Sequence, residues 1–172
     1  MSETNKKGGN KAEINKELID FMGYEFSSTF GLLVNEIYNT YGAEGLTIIE
    51  KAMEKKGQLA AIEMKNAGIE INNFIDFGRH YGKSLRGQAN SLVSNTNIEV
   101  ISPDEVVLVH TSCNKFEAWR ELGLPAEIIT EICRLNFKAT ESLFFEFFPD
   151  AEMIKESLIP RGDQACRIRF KR

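Results

Sequence analysis

Residues 98–112 read IEVISPDEVVLVHTS, and this stretch decides the fold class of the chain. Ile98 and Val100 stand on one side of the turn sequence Ser102-Pro103-Asp104-Glu105, and the apolar run from Val106 to Val109 stands on the other. β-branched and large apolar residues on both sides of a Pro-Asp turn are typical of a β-hairpin. The sequence therefore predicts that an antiparallel sheet begins here.

A second hairpin is predicted at the C-terminal end of the chain. Residues 152–159 and 165–171 are the two strand candidates, and they are separated by Pro160-Arg161-Gly162-Asp163. Proline followed by Gly-Asp favours a reversal of chain direction. The chain therefore carries two hairpins, with helical sequence before each of them.

The remaining segments have the spacing of amphipathic helices, in which apolar residues recur every three or four positions. Gly42 is predicted to end the first helix, and Gly57, inside the second, costs about 1 kcal/mol relative to alanine and indicates a kink or a close contact. The order of elements predicts an α+β fold with helices packed on one face of a small antiparallel sheet built from two hairpins. The predicted helices cover residues 27–41, 43–66, 72–86, 114–122 and 125–148.

The length of the chain limits it to one domain. It has 172 residues, of which 42% are hydrophobic, and a chain of this size can bury a core without disulfides or a structural metal. Residues 1–12 are polar and are predicted to be a disordered tail. Residues 13–172 are predicted to form a single α+β domain.

Charge and composition exclude several classes of function. The formal net charge is −4, from 25 acidic and 21 basic residues, so the chain lacks the basic footprint of a nucleic-acid-binding domain. No apolar run is long enough to cross a membrane, and residues 1–10 have no secretion signal. Three cysteines without a CxxC pair suit a reducing compartment. We therefore predict a cytoplasmic protein that binds neither nucleic acid nor membrane.

Cys113 is the first candidate for chemistry. It lies at the end of a predicted strand and just before a helix, where backbone N–H groups and the helix dipole favour a thiolate, the form a nucleophile needs. The alternative is a small buried residue with a packing role. His110 lies three positions earlier, which places it on the opposite face of a strand, although a bend at Ser112 could bring the two together.

The other two cysteines lie elsewhere in the predicted fold. Cys133 lies in mid-helix among isoleucines, where a core role is the default, and Cys166 begins the last strand close to Asp163, so an acid and a thiol could line one site there. A zinc ion held by His110 and the three cysteines is a minority alternative, because the spacings are not those of zinc motifs. We predict neither a metal nor a cofactor.

Four further side chains are candidates for substrate contacts. Arg167 and Arg169 alternate with apolar residues, so both point to one face of the strand, where they could bind a carboxylate or simply face solvent. Trp119 follows Phe116 at contact spacing, either as packing or as a lid over a small site. Glu146 interrupts the phenylalanine run of residues 144–148, where an apolar wall could raise its pKa.

Several common catalytic motifs are absent. The chain has no Walker loop, GxGxxG, HExxH, GxSxG or EF-hand loop. This argues against the most frequent nucleotide-binding, zinc-protease, serine-hydrolase and calcium-binding functions.

Four parts of the chain form a recognisable set: Leu32–Ala52 with its Tyr41-Gly42-Ala43-Glu44-Gly45 turn, Cys113 with Trp119 six residues on, Cys133, and Ser157–Phe170. Taken together, these segments resemble the L-2-amino-thiazoline-4-carboxylic acid hydrolase family. The resemblance implies a fold similar to the 4-vinyl reductase and trafficking-complex type of domain. It also implies an acid shortly after the second cysteine, where this chain has Cys133-Arg134-Leu135-Asn136.

The resemblance implies a hydrolase that opens a cyclic amidine in a thiazoline ring. On this hypothesis the catalytic residues are Cys113, His110 and Asp163, and the substrate-binding residues are Cys133, Cys166, Arg167, Arg169, Trp119 and Glu146. The main alternative is a non-catalytic domain of the 4-vinyl reductase type that binds or senses a small ligand. A third is an assembly subunit that forms a homodimer, which exposure of residues 144–148 would favour.

Overall fold

The computed structural model describes residues 11–80 and 96–172. The helices are α1 (Lys11–Asn66), α2 (residues 74–80), α3 (Asn114–Glu121) and α4 (Ala126–Phe145), and a short 3-10 segment covers Ile159–Arg161. The strands are β1 (Thr96–Ser102), β2 (Glu105–His110), β3 (Glu152–Ser157) and β4 (Cys166–Lys171). The α+β class predicted from the sequence is confirmed.

The four strands form one antiparallel sheet in the order β1-β2-β4-β3. Strands β1 and β2 are joined through Pro103-Asp104, and β3 and β4 are joined through the 3-10 segment, so both predicted hairpins are present. The pairing of β2 with β4 joins the two hairpins. His110 at the end of β2 is paired with Cys166 at the start of β4.

The two faces of the sheet differ in chemistry because side chains alternate along each strand. On β4, Cys166, Ile168 and Phe170 are buried on the inner face, whereas Arg167 and Arg169 lie on the outer face. The inner face carries the apolar side chains that the helices cover.

A phenylalanine-rich cluster, named here the sheet core, packs α2 and α4 against the inner face. Phe144 and Phe148 are almost fully buried and contact Phe74 and Phe77 with ring centroids 4.8–6.3 Å apart. Phe144 also lies 4.5 Å from the ring of Phe170. Phe144 and Phe148 therefore lie in the interior, and of the phenylalanines in the run on which the homodimer alternative depended only Phe145 is exposed.

A second apolar cluster, named here the helix core, lies between α1, α3 and α4. It includes Val34 and Leu46 from α1, Trp119 from α3, and Ile132 from α4. Phe137 of α4 packs against both the helix core and the sheet core. Helix α4 is therefore the central element, with the sheet on one side and α1 on the other.

Two glycines in α1 have the structural roles that the sequence indicates. Gly42 adopts φ 64° and ψ −157°, a non-helical conformation, so the helical run breaks where the first helix was predicted to stop. At Gly57 a Cβ atom would meet the backbone oxygen of Ala139 and would lie 2.7 Å from Cβ of Ser142. Gly57 therefore marks a close contact between α1 and α4.

Parts of two predictions lie outside the described residues. Residues 74–80 are helical as expected, whereas residues 81–86 of the predicted third helix and residues 1–10 of the predicted tail are not described. In the described ranges, no helix combines the length and the apolar composition that a bilayer crossing requires.

Candidate functional site

A cavity of about 80 Å³ lies between the sheet, α3 and α4. This volume is enough for several water molecules or a small ring. All three cysteines of the chain line it, although they are far apart in the sequence. The lining residues are His110, Cys113, Lys115, Phe116, Trp119, Cys133, Asn136, Phe137, Thr140, Pro160 and Cys166.

The junction between β2 and α3 places two of the predicted residues at the cavity. Strand β2 ends at His110, the chain bends at Thr111, and Cys113 is the N-cap residue of α3. In a continuous strand His110 and Cys113 would point to opposite faces, but this bend brings them to the same side. The bend lies one residue before Ser112, where it was predicted. Both side chains therefore face the same cavity, and Cys113 is the least buried of the three thiols.

Cys166 reaches the cavity from the sheet. It is the strand partner of His110, so the two side chains lie side by side on the inner face. The N–H of Ile159 donates a hydrogen bond to Sγ of Cys166 at 3.2 Å. Burial raises the pKa of Cys166 in spite of this hydrogen bond, so its sulfur remains a neutral thiol at neutral pH.

One face of α4 supplies the opposite wall. Cys133, Asn136, Phe137 and Thr140 are spaced by three, one and three residues, which places them on one side of a helix. Burial, together with the neighbouring Cys166 and Cys113, raises the pKa of Cys133 to about 12. Cys133 is therefore a thiol rather than a thiolate at neutral pH.

The basic groups of the cavity are His110 and Lys115. Burial, with a smaller contribution from the charge of Lys115, lowers the pKa of His110 to about 4, so its imidazole is neutral at pH 7 and can accept a proton. Burial also lowers the pKa of Lys115, and the nearby Lys56 acts in the same direction.

Lys115 is a cavity residue that the sequence analysis missed. Its Nζ donates a hydrogen bond to Oδ1 of Asn136 at 3.4 Å, and Nδ2 of Asn136 donates to the backbone oxygen of Ile132 at 3.1 Å. The four-residue spacing from Lys115 to Trp119 places both on one side of α3. That spacing, together with the polar positions on α4, is the signal from which the cavity wall could have been predicted.

Trp119 positions α3 as well as lining the cavity. Its Nε1 donates a hydrogen bond to the backbone oxygen of Ser27 at 2.8 Å. A Cβ atom at Gly31 would lie only 2.6 Å from Cδ1 of Trp119, so the absence of a side chain there allows the indole to approach α1. The indole thereby fixes α3, the helix that carries Lys115 and follows Cys113, relative to α1.

Two of the predicted site residues do not line the cavity. Asp163 is exposed and accepts a hydrogen bond from the N–H of Leu158 at 2.7 Å, which fixes the turn between β3 and β4. Glu146 lies at the exposed end of α4, 3.8 Å from Nζ of Lys65. The apolar wall expected around Glu146 is absent, because Phe144 and Phe148 turn toward the sheet core and Glu146 turns away from it.

The two arginines of β4 also lie away from the cavity. Arg167 makes two hydrogen bonds to Glu99, of 3.1 and 2.7 Å, and Arg169 bonds to both Glu105 and Glu156. We name these five residues the outer ladder. Since β2 lies between β1 and β4, the bridge from Arg167 to Glu99 crosses β2. The ladder therefore pairs both arginines of β4 with carboxylates.

Four groups considered as zinc ligands, His110 and the three thiols, do line one cavity. Within the described part of the chain, however, no three His, Cys, Asp or Glu side chains are arranged so that they could hold a metal ion. The groups that could take part in chemistry in this cavity are therefore its three thiols, its neutral imidazole and its single lysine.

Fold and cavity together define a class: a small α+β domain with a thiol-lined cavity between a hairpin sheet and its helices. The chain belongs to the L-2-amino-thiazoline-4-carboxylic acid hydrolase family, whose sequence model matches residues 24–170. The match covers nearly all of the chain, and the three cysteines lie within it.

Among solved structures, the fold is similar to that of trafficking protein particle complex subunit 3 from Naegleria fowleri, whose crystal structure was determined covalently bound to palmitic acid. The TM-score is 0.60 at 18% sequence identity, and the alignment covers 88% of this chain and 95% of the other. At this identity the similarity shows the fold alone. Comparison with curated protein sequences gives no significant match.

Proposed function

We propose that the protein is a small hydrolase that opens a cyclic C–N bond, of the amidine or thiazoline type, in a small carboxylate substrate with assistance from Cys113. The observation that carries the proposal is the convergence of Cys113 and His110 on one cavity of about 80 Å³. Membership of a family named for such a hydrolase supports the same reaction class.

The roles follow from the protonation and exposure of the lining groups. Cys113 is the most accessible thiol, whereas Cys133 and Cys166 are buried and have raised pKa values. In this proposal His110 passes the proton of Cys113 to the ring nitrogen as the sulfur adds to the amidine carbon. Its lowered pKa favours delivery of that proton over retention of it. Asp163 lies outside the cavity lining and has no step in this scheme.

The reaction balances with water as the only co-reactant. The sulfur of Cys113 adds to the amidine carbon while the thiol proton goes to the ring nitrogen, so the double bond between these two atoms becomes single. That single bond then breaks as the other amidine nitrogen forms a double bond to the carbon and gives up a proton, and the ring nitrogen takes this second proton and leaves as an amine. Water then attacks the same carbon and displaces the sulfur of Cys113, which regenerates the thiol of Cys113. The sulfur that belonged to the substrate ring stays bonded to the carbon. Overall, oxygen is added to the carbon and two hydrogens are added to the ring nitrogen.

The test is mass spectrometry of thiazoline and other cyclic amidine carboxylates after incubation with the protein. We expect a product heavier by one water with the wild type and with Cys133→Ala, and none with Cys113→Ser. Cys133→Ala is the matched control, because it removes a thiol from the same cavity whose raised pKa keeps it unreactive. Turnover that survives Cys113→Ser would overturn the role of Cys113.

A second candidate function is a ligand-binding or sensing domain of the 4-vinyl reductase type that has no catalytic activity. The observation that favours it is the aromatic lining by Phe116, Trp119 and Phe137, which would suit an apolar ligand. Fast, stoichiometric alkylation of Cys113 at neutral pH supports the hydrolase. Slow alkylation, with no turnover of any cyclic amidine, supports the binding domain.

A further inference from the structure

The cavity contains a positive charge that has no carboxylate beside it. Of the residues that line it, Lys115 is the only lysine or arginine, and none is an aspartate or glutamate. Lys115 forms no salt bridge with any residue in the described ranges, and its hydrogen-bond partner is the neutral amide oxygen of Asn136. The ammonium group is therefore held at the cavity by a dipole rather than by a counterion.

Elsewhere in the molecule, cations of similar burial are paired with acids. Lys138 lies 3.1 Å from Glu50 and 3.4 Å from Glu141, and Lys155 is paired with Glu141 across the boundary between α4 and β3. A partly buried charge is costly unless it is paired. Lys115 departs from this pattern, and it does so at the cavity that the three cysteines line.

Lys115 has no carboxylate neighbour that would compensate its burial. Burial lowers the pKa of Lys115, and among its neighbours Cys113 acts most strongly in the opposite direction. Burial keeps Cys133 protonated, and His110 is neutral, so neither of these two supplies a negative charge at neutral pH. An anionic oxygen beside Lys115 would therefore favour its ammonium form. The 3.4 Å hydrogen bond from Lys115 to Asn136 is long for an N–H to O contact, and an ammonium group has three donors. Donors of Lys115 therefore remain available to an anionic oxygen in the cavity.

We propose that Lys115, oriented by Asn136, is a recognition site for one carboxylate group of a small planar ligand in this cavity. The inference rests on the proposed function in treating the cavity as the ligand site, and it replaces Arg167 and Arg169 as the carboxylate-binding groups. A carboxylate bound at Lys115 leaves its ring among Phe116, Trp119 and Phe137, beside Cys113.

The test uses ligands that cannot be hydrolysed, so that binding is separated from turnover. Thiophene-2-carboxylate and thiophene-2-carboxamide have the same ring and nearly the same size, but only the first is charged. Trp119 is the only tryptophan of the chain and lines the cavity, so its fluorescence reports occupancy directly. We expect the carboxylate to bind about tenfold or more tightly than the carboxamide, as for a charge-assisted hydrogen bond.

Three variants test whether the preference for the carboxylate over the carboxamide depends on Lys115. Lys115→Met is expected to remove the preference for the carboxylate and to leave carboxamide binding unchanged. Lys56→Met is the matched control, because it removes the same charge near Lys115 but outside the cavity lining, and it should keep the preference. Asn136→Asp supplies an internal counterion and should weaken carboxylate binding alone, which tests the site even if Lys115→Met folds poorly.

The outcomes separate this inference from the proposed function. Equal affinities for the two ligands in the wild type, or a preference that survives Lys115→Met, overturn the anion site, whatever the turnover assay gives. A Lys115-dependent preference without turnover of any cyclic amidine supports the anion site and overturns the hydrolase.

Discussion

The outer ladder and the cavity are two groups of polar side chains on opposite faces of the same strand. Arg167 and Arg169 on the outer face are each bonded to carboxylates, and these bonds raise the pKa of both guanidinium groups. Cys166, which directly precedes Arg167 in the sequence, lies on the inner face and lines the cavity together with a lysine that has no carboxylate beside it and a histidine held neutral. Neighbouring residues in the chain thus belong to two different electrostatic environments.

The difference shows where function is to be sought in this fold. Charges that are fully paired and half exposed have little left to offer a ligand and add little to stability. Groups that are partly buried and incompletely paired are costly to the fold, and such groups concentrate at functional sites. By this criterion we propose that the functional site is the cavity lined by Cys113, His110 and Lys115, and not the outer ladder.

The largest effect should come from removing an inner-face side chain. Phe170→Ala removes a fully buried ring that contacts Phe77 and Phe144, and we expect it to lower the free energy of unfolding by about 3–5 kcal/mol. Phe145→Ala is the control, because that ring is 38% exposed, and it should cost about 1 kcal/mol. Urea unfolding of both variants measures the difference. Equal losses would contradict the assignment of stability to the inner face.

An intermediate effect is expected from the neutral histidine of the cavity. Because the pKa of His110 falls from about 6.5 in the unfolded chain to about 4 in the folded one, only the unfolded state takes up a proton between these values. Stability should therefore fall as the pH is lowered from 6.5 to 4, with a contribution from His110 of up to about 3 kcal/mol.

Urea titrations across this pH range test the histidine. His110→Gln should lack its part of the pH dependence, whereas His80→Gln, which replaces the other histidine of the chain, should retain it. An identical dependence in wild type and His110→Gln would show that His110 is not held neutral by the fold.

The smallest effect is expected on the outer ladder. Arg169→Met removes the contacts to Glu105 and Glu156 but leaves two carboxylates facing solvent, so the change in unfolding free energy should be the smallest of the three. It should shrink further in about 1 M salt, which screens exposed charges, whereas the loss in Phe170→Ala should not. A loss as large as that of Phe170→Ala would remove the contrast between the two faces.

Much of the fold could be predicted because its signals are local. The Pro-Asp turn and the alternation of Arg167 and Arg169 with apolar residues specify hairpins from neighbouring residues alone, and Gly42 marks the helix break in the same way. Predicting these features required no knowledge of tertiary packing. The phenylalanine run was predicted to be apolar, but its burial depends on α2, which lies far away in the sequence.

The site could be predicted only in part, because it is assembled from distant segments. Cys113, Cys133 and Cys166 come from a helix cap, a helix face and a strand, and no spacing in the sequence shows that they share one cavity. The arginines were conspicuous because both are charged and lie on the strand that begins with Cys166, yet strand alternation directs them to the other face. Lys115 belongs to no motif: its spacing to Trp119 is its one signal in the sequence, and its missing counterion becomes apparent only in the structure.

Phe137 packs against both the helix core and the sheet core, and it also lines the cavity. The cavity thus lies at the boundary between the helix core and the sheet core, and its dimensions depend on how closely these two clusters approach each other. Since protein interiors are densely packed, adding or removing one methyl group deep in either cluster changes the distance between the clusters and with it the shape of the cavity. Relatives with this architecture can therefore diverge in the ligands they accept while every residue that touches the ligand stays the same.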